Sequence, residues 1–267
     1  MENSKKIFIE PCCQVTQIDY DIRNREKAES RNSYHHFCSL RSLDAILETR
    51  TVKFNNISNY SGDYEYEREN VESEFWGQVF IACLTRTPNS KKMWKRYGDD
   101  NNGVRIDFNF QTNFLEDVFD STRLVRTYGT DGKELAEIGF ATSTLSNRKF
   151  SCSPNKFTQP IADLSMEDVV YTNTPEDSHV FIDGMKAMNM SSVSTAVASK
   201  CSDEDETRVK CVLRCTHDVY MDKISYLLVP IKFKYISLEF GKKVEPEKRK
   251  YYSNILEKLK RNEENLD

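Results

Sequence analysis

Histidine is scarce in this chain, with four residues in 267, too few for a His-rich metal centre. Cysteine is present eight times, but no two fall in a C-x-x-C pair. Cys12 and Cys13 are adjacent and Cys211 and Cys215 are four apart, a pattern that argues against a structural zinc site. No apolar run approaches the roughly 20 residues that a membrane helix needs. The opening MENSKKIFIEPCCQ holds too short an apolar stretch for a signal peptide, so the expectation is a cytoplasmic protein whose thiols stay reduced. Charge of one sign is not in excess: 38 Lys and Arg stand against 42 Asp and Glu, for a net charge of -4. Their interspersion argues against an extended phosphate-binding surface. Motifs of the P-loop, G-x-G-x-x-G, H-E-x-x-H and G-x-S-x-G kinds are absent, which removes Walker-site hydrolysis, Rossmann dehydrogenation and α/β-hydrolase chemistry. There is no repeat of solenoid period.

What is present is an alternation of strand and helix patterns. Residues 1–31 are polar and weakly periodic and read as an N-terminal arm; residues 32–267 read as one α+β domain. A strand opens at Tyr34, and from Ser39 the apolar positions Leu40, Leu43, Ile46 and Leu47 make one helix stripe, with Ser39 or Ser42 as N-cap. Val52 and Phe54 mark a short strand, followed by the turn-rich NNISNYSGDYEYE. The same order returns in QVFIACL, a buried strand, in SKKMWKRYG, a helix with Met93, Trp94 and Tyr97 on one face and a solvated basic face, and in GVRIDFNF, an alternating half-buried strand. The middle of the chain is expected to hold a helix over Asp131 to Thr142, loops over 143–160 and a strand at Asp168 to Tyr171. Strands follow at 206–215, 224–229 and near 235–240, and Pro246 opens an amphipathic helix carrying Tyr252, Ile255, Leu256 and Leu259.

Three places could carry chemistry. In YHHFC, adjacent strand residues point to opposite faces, so at most one of His35 and His36 faces a site; His36, aligned with Cys38, is the candidate, and the bland alternative is a surface histidine beside a core one. Thr85 ends the QVFIACL strand just before a helix, where a hydroxyl is commonly a cap. In DEDETR, Glu204, Glu206 and Arg208 are spaced to share a strand face, and a Glu two residues from an Arg is a pair that favours the ionised carboxylate.

The stretches YHHFCSLRSLDAIL, TVKFNNISNYSGDYEYE, FIACLTRTPNSKKMWKRYGDDNNGVRIDF and DEDETRV resemble, in order and spacing, the bacterial domain-of-unknown-function family 2971. The match runs over roughly residues 34–260, with Met93, Trp94 and Tyr97 as its most specific element. The SGDYE segment, with Asp63, departs from the Asn-Asp-Pro-Phe-Glu usual in that family. The order of elements also resembles ADP-ribosyltransferases: a first strand carrying His or Arg, a helix, a strand ending in Ser, Thr or Tyr before a helix, and a strand led by Glu. That resemblance implies a mixed, mainly antiparallel split sheet with flanking helices and NAD as substrate. It implies His36 at the nicotinamide-ribose end, Thr85 at the second motif position and Glu206 as the catalytic carboxylate, with Glu204 as its fallback. Ser39, Tyr60, Tyr64, Glu204 and Arg208 complete the expected NAD-binding set, with Phe37 as a further aromatic that could stack on nicotinamide.

Breaking the ribose–nicotinamide bond develops oxocarbenium character, which a fixed carboxylate stabilises, while an imidazole donating a hydrogen bond orients the ribose. The leading expectation is therefore an intracellular ADP-ribosyltransferase-like enzyme of the toxin or phage-defence kind, with a protein or nucleic-acid acceptor, no membrane and room for a regulatory protein partner. NAD hydrolysis to water, or a ligand-sensing or partner-binding module with a degenerate site, are the alternatives. Convergence of His36 and Glu206 on one cleft separates enzyme from module.

Overall fold

The structure, a computed structural model, describes residues 33–56, 78–142, 161–172, 180–182, 185–187, 196–198, 202, 204–214 and 224–265. The expected arm at 1–31 and the loops at 143–160 lie outside them. In chain order the elements are β1 (Ser33–Cys38), α1 (Leu40–Thr49), β2 (Thr51–Asn56), β3 (Gln78–Thr85), α2 (Lys91–Arg96), β4 (Val104–Asn109), α3 (Phe114–Val118), β5 (Val125–Gly129), β6 (Glu134–Ile138), β7 (Phe140–Thr142), β8 (Ile161–Asp168), β9 (Val170–Thr172), β10 (Val180–Ile182), β11 (Met185–Ala187), β12 (Ala196–Ala198), β13 (Glu206–Arg214), β14 (Ile224–Pro230), β15 (Ile236–Phe240) and α4 (Pro246–Glu264). This is an α+β fold built on one large open sheet. All ladders of that sheet are antiparallel except β7 with β8.

β3 is the strand on which the sheet is organised. Along one edge it pairs with β13 from Gln78 to Thr85. The other edge is shared: β2 takes Phe80 and Ile81, and β1 takes Thr85. Two ladders therefore diverge from one strand, β1-β4-β15 and β2-β14-β5-β6. The residues of β3 between those two contacts, 82–84, pair with neither, so the sheet is notched there.

Alternation sorts the two faces. Tyr34 and Cys38 of β1, Phe80, Ala82 and Leu84 of β3, Val104, Ile106 and Phe108 of β4, and Val209, Cys211 and Leu213 of β13 all face one core. Helices α1, α3 and α4 close it with Leu43, Ile46 and Leu47, with Phe114, Leu115 and Val118, and with Tyr252 and Leu256. Each large apolar side chain so buried contributes about 1.5–3 kcal/mol. The stripe read from the sequence is what docks α1, and the Ser39 hydroxyl caps it by accepting from the Ser42 N–H at 3.2 Å. Ile255 and Leu259 of α4 pack against the same core. In α2, Met93 is buried and Trp94 meets Phe37 edge-on at 4.9 Å, whereas Tyr97 is 43% exposed and leaves the apolar face that it was expected to share.

One element is corrected. The expected helix over Asp131 to Thr142 is a β5–β6 hairpin followed by β7. Gly132 at φ +76 makes the turn, and Asp131–Gly132 is itself a hairpin signal. Leu135 is exposed on an edge strand, and Ile138 is buried. The strand expected at Asp168 to Tyr171 is divided into β8 and β9. Among the described residues no helix is long and apolar enough to cross a membrane.

Candidate functional site

At the C-terminal end of β3 three ladders meet. His35 of β1 pairs with Thr85, and Thr85 pairs on its other side with Glu206, the first residue of β13. Partners directly opposite in an antiparallel ladder point to the same face, so His35, Thr85 and Glu206 form one row across three adjacent strands. The row extends beyond β1 to Asp107 of β4. This face is opposite the core, yet His35, Thr85 and Glu206 are all buried.

Each member of the row is fixed by an identifiable partner. The Thr85 hydroxyl donates to the Glu204 carbonyl at 2.6 Å and accepts from the Thr87 N–H at 3.1 Å, tying the turn that leaves β3 to the segment that leads into β13. Glu206 accepts from Arg208 Nε at 2.9 Å and from its Nη2 at 3.4 Å; the two residues lie on one face of β13, as their spacing predicts. His35 Nδ1 lies 2.6 Å from Asp107 Oδ1. Arg105 donates to both oxygens of Asp107, from Nε at 2.6 Å and from Nη2 at 2.9 Å.

Glu204 lies before the strand and is turned aside from it by Asp205, which is held at φ +45. Its carboxylate accepts from the Arg96 guanidinium and from the Tyr97 hydroxyl at 3.1 Å, so it does not continue the face of Glu206 and Arg208. Burial, and then the charge of Glu206, raise the Glu204 pKa above the ordinary carboxylate value against the pull of Tyr97 and Arg96. Burial and the same carboxylate push the Tyr97 phenol up as well. Two carboxylates two residues apart thus sit in different settings, one paired within its strand by an arginine and the other biased toward its protonated form, an arrangement suited to acid–base work.

The strained Asp205 is pinned from several sides. Its carbonyl accepts from the Arg86 N–H at 3.1 Å, and its carboxylate accepts from the Arg86 guanidinium and, at 3.3 Å, from the Thr87 hydroxyl. Arg86 also donates to Asp168 at 2.6 Å, whose second oxygen accepts from the Thr207 hydroxyl at 2.6 Å. The ends of β3, β8 and β13 are laced together by these bonds, which hold a non-glycine residue in a left-handed conformation costing about 1–3 kcal/mol.

His36 does not join the row. It pairs with Ile106 of β4 and lies on the core face between Tyr34 and Cys38, the parity that the sequence reading assigned to the site. Its Nδ1 donates to the Cys83 carbonyl at 3.0 Å, across the notch that opens after the single β1–β3 pair. Burial lowers its pKa, opposed by that bond. The physical reason for this placement is that Tyr34 and Cys38 are core residues, and His36 shares their parity. Of the other expected residues, Ser39 serves as the α1 cap and Tyr60 and Tyr64 lie outside the described residues. Sequence reasoning missed Arg105 and Asp107. Their alternation with Val104, Ile106 and Phe108 was legible, but it reads as a solvated face, whereas the two side chains are 12% and 14% exposed.

Among the described residues no group of three or more His, Cys, Asp or Glu side chains is arranged to hold a metal ion. No protein-family model, no curated protein and no solved structure matches this chain.

Proposed function

We propose that the chain is an ADP-ribosyltransferase-like enzyme that uses NAD, with Glu206 as the carboxylate that stabilises the ribosyl oxocarbenium, Thr85 as its neighbour and His35, in place of His36, as the residue at the ribose. The observation that carries this reading is the row His35, Thr85, Glu206 across β1, β3 and β13. A histidine strand, a strand ending in Thr before a helix and a strand led by Glu are far apart in sequence, and the resemblance requires them to be neighbours. The divergence of two ladders from β3 is the kind of split sheet that the same resemblance implies. Cleavage would leave nicotinamide with the bond's electron pair and place the cation beside a fixed carboxylate. The acceptor is a protein or nucleic-acid nucleophile, and Glu204, biased toward protonation and bonded by Tyr97, is the second acid–base group. Action as a toxin or in phage defence belongs to the same proposal and rests on the resemblance alone.

A second reading, a binding module that does not turn NAD over, draws on one observation: Glu206 is already engaged by Arg208, and both are buried. The test is to incubate purified protein with labelled NAD and cell lysate, comparing wild type with Glu206→Gln, His35→Ala and His36→Ala. Label transferred by wild type and by folded His36→Ala, and lost in Glu206→Gln and His35→Ala, supports the transferase. Transfer that survives Glu206→Gln overturns it. Free ADP-ribose without labelled acceptor means hydrolysis to water, and NAD bound but intact means the module.

A further inference from the structure

Asp107 is a half-buried carboxylate on which donors from two strands converge. His35 and Arg105 both converge on Oδ1 at 2.6 Å, and Arg105 takes Oδ2 at 2.9 Å. Arg105 is itself fixed, since its Nη1 donates to the Pro88 carbonyl at 2.7 Å in the loop that leaves Thr85 for α2. The chain of bonds thus runs from that loop through β4 to β1. Although burial opposes ionisation, the bonds from His35 and Arg105 hold the Asp107 carboxyl below its ordinary value. An ionised carboxylate only accepts, so the nitrogen that meets it must carry the proton. Nδ1 is that nitrogen, and no described residue bonds Nε2 of His35.

We propose that Asp107, oriented by Arg105, is the positioning residue of the site: it holds the Nδ1–H of His35, so that in the neutral ring Nε2 is the nitrogen left with a lone pair and accepts a hydrogen bond from a ribose hydroxyl of the ligand. The identity of that donor rests on the NAD reading above; the tautomer belongs to the protein alone. The ring nitrogen turned toward a ligand is set by the bond that the other nitrogen makes, and loss of such a supporting carboxylate costs about 10–100-fold in comparable metal sites. The histidine is then an acceptor, which selects for a hydroxyl and against a carbonyl or ether oxygen at the same place.

Long-range proton–nitrogen NMR on full-length protein with ¹⁵N-labelled histidine reads this directly, with the His35 signals identified by their absence in His35→Gln. The expected wild-type ring is protonated at Nδ1, and NAD shifts its Nε2 resonance. In Asp107→Ala the fixed tautomer is lost and KM for NAD rises about tenfold or more with a smaller fall in kcat; Asp107→Asn, which keeps an oxygen acceptor, restores the Nδ1–H ring and most of the affinity. A wild-type ring protonated at Nε2 overturns the positioning role whether or not the variants fold, and leaves the NAD reading to the labelling assay. An Nδ1–H ring that NAD fails to perturb overturns the ligand assignment and counts against NAD itself.

Discussion

The Thr85 hydroxyl donates to the backbone carbonyl of Glu204 at 2.6 Å, joining residues 119 apart in sequence. The bond sets where the Glu204–Asp205–Glu206 turn begins, so a side chain of the wrong chemistry at 85 should move both carboxylates. Thr85→Val keeps the shape and leaves that carbonyl and the Thr87 N–H without their partner. The expected loss is about 1–3 kcal/mol in urea unfolding, together with, on the proposed NAD reading, a fall in NAD consumption, whereas Thr85→Ser retains most of both. Equal behaviour of the two variants would show that the hydroxyl is idle.

Glu204 gives a pH signature with a definite sign. Its folded pKa lies above the unfolded reference of 4.5, so below that value both states hold the proton and the group's contribution to stability is fully present. As pH rises through the folded value the carboxylate must ionise beside Glu206, and the contribution is lost. Glu204→Gln keeps an oxygen for Arg96 and Tyr97 and cannot ionise. Wild type should therefore lose stability relative to this variant between pH 4.5 and 8, measured by urea titration at both pH values. A difference that stays constant or reverses would refute the arrangement.

Two glycines are required by close backbone approach. A Cβ on Gly103 would lie 2.2 Å from the Cys38 carbonyl oxygen, and one on Gly241 would lie 2.3 Å from that of Asn101. Backbone on backbone cannot yield as a side chain can, so Gly103→Ala and Gly241→Ala should each cost about 3 kcal/mol. At Gly132 a Cβ meets nothing within 4 Å and only the φ of +76 is strained, so Gly132→Ala should cost about 1–2 kcal/mol. Thermal melts of the three variants rank them.

Glu263, in the last turns of α4, is an acid near a helix C-terminus, where a base is ordinarily favoured. Its use is elsewhere: Oε2 accepts from the N–H groups of Phe233 at 2.7 Å and Lys234 at 3.1 Å, and Oε1 accepts from Arg50. Glu263→Ala would orphan all three donors and should cost about 2–3 kcal/mol, with little relief from added salt because the carboxylate is only 13% exposed. A cost below 0.5 kcal/mol would mark it as an ordinary surface pair.

The elements that were legible in the sequence are those whose period matches a covered face. Leu40, Leu43, Ile46 and Leu47 predict α1 because all of them meet the core, and Val104, Ile106 and Phe108 predict β4 for the same reason. The segment from Asp131 to Thr142, expected as a helix, does not follow that rule: Leu135 is apolar and exposed, and the turn at Asp131–Gly132 is the informative signal there. At the site, alternation established that His35 and His36 separate but not which one faces the row. That choice is made by Tyr34 and Cys38, whose burial identifies the core parity. Arg105 and Asp107 were invisible as site residues because polar alternation looks the same whether the polar face meets water or a buried network.

The pairing of β3 with β13 has a consequence in time. Half of the row exists once β1 and β3 are made, but the Glu206 half arrives more than a hundred residues later, and closing so long a loop is slow compared with forming local structure. A chain cut or stalled between residues 86 and 205 carries His35 and Thr85 and lacks Glu206. The row is therefore completed last, when β13 docks on β3 and brings Glu206 opposite Thr85.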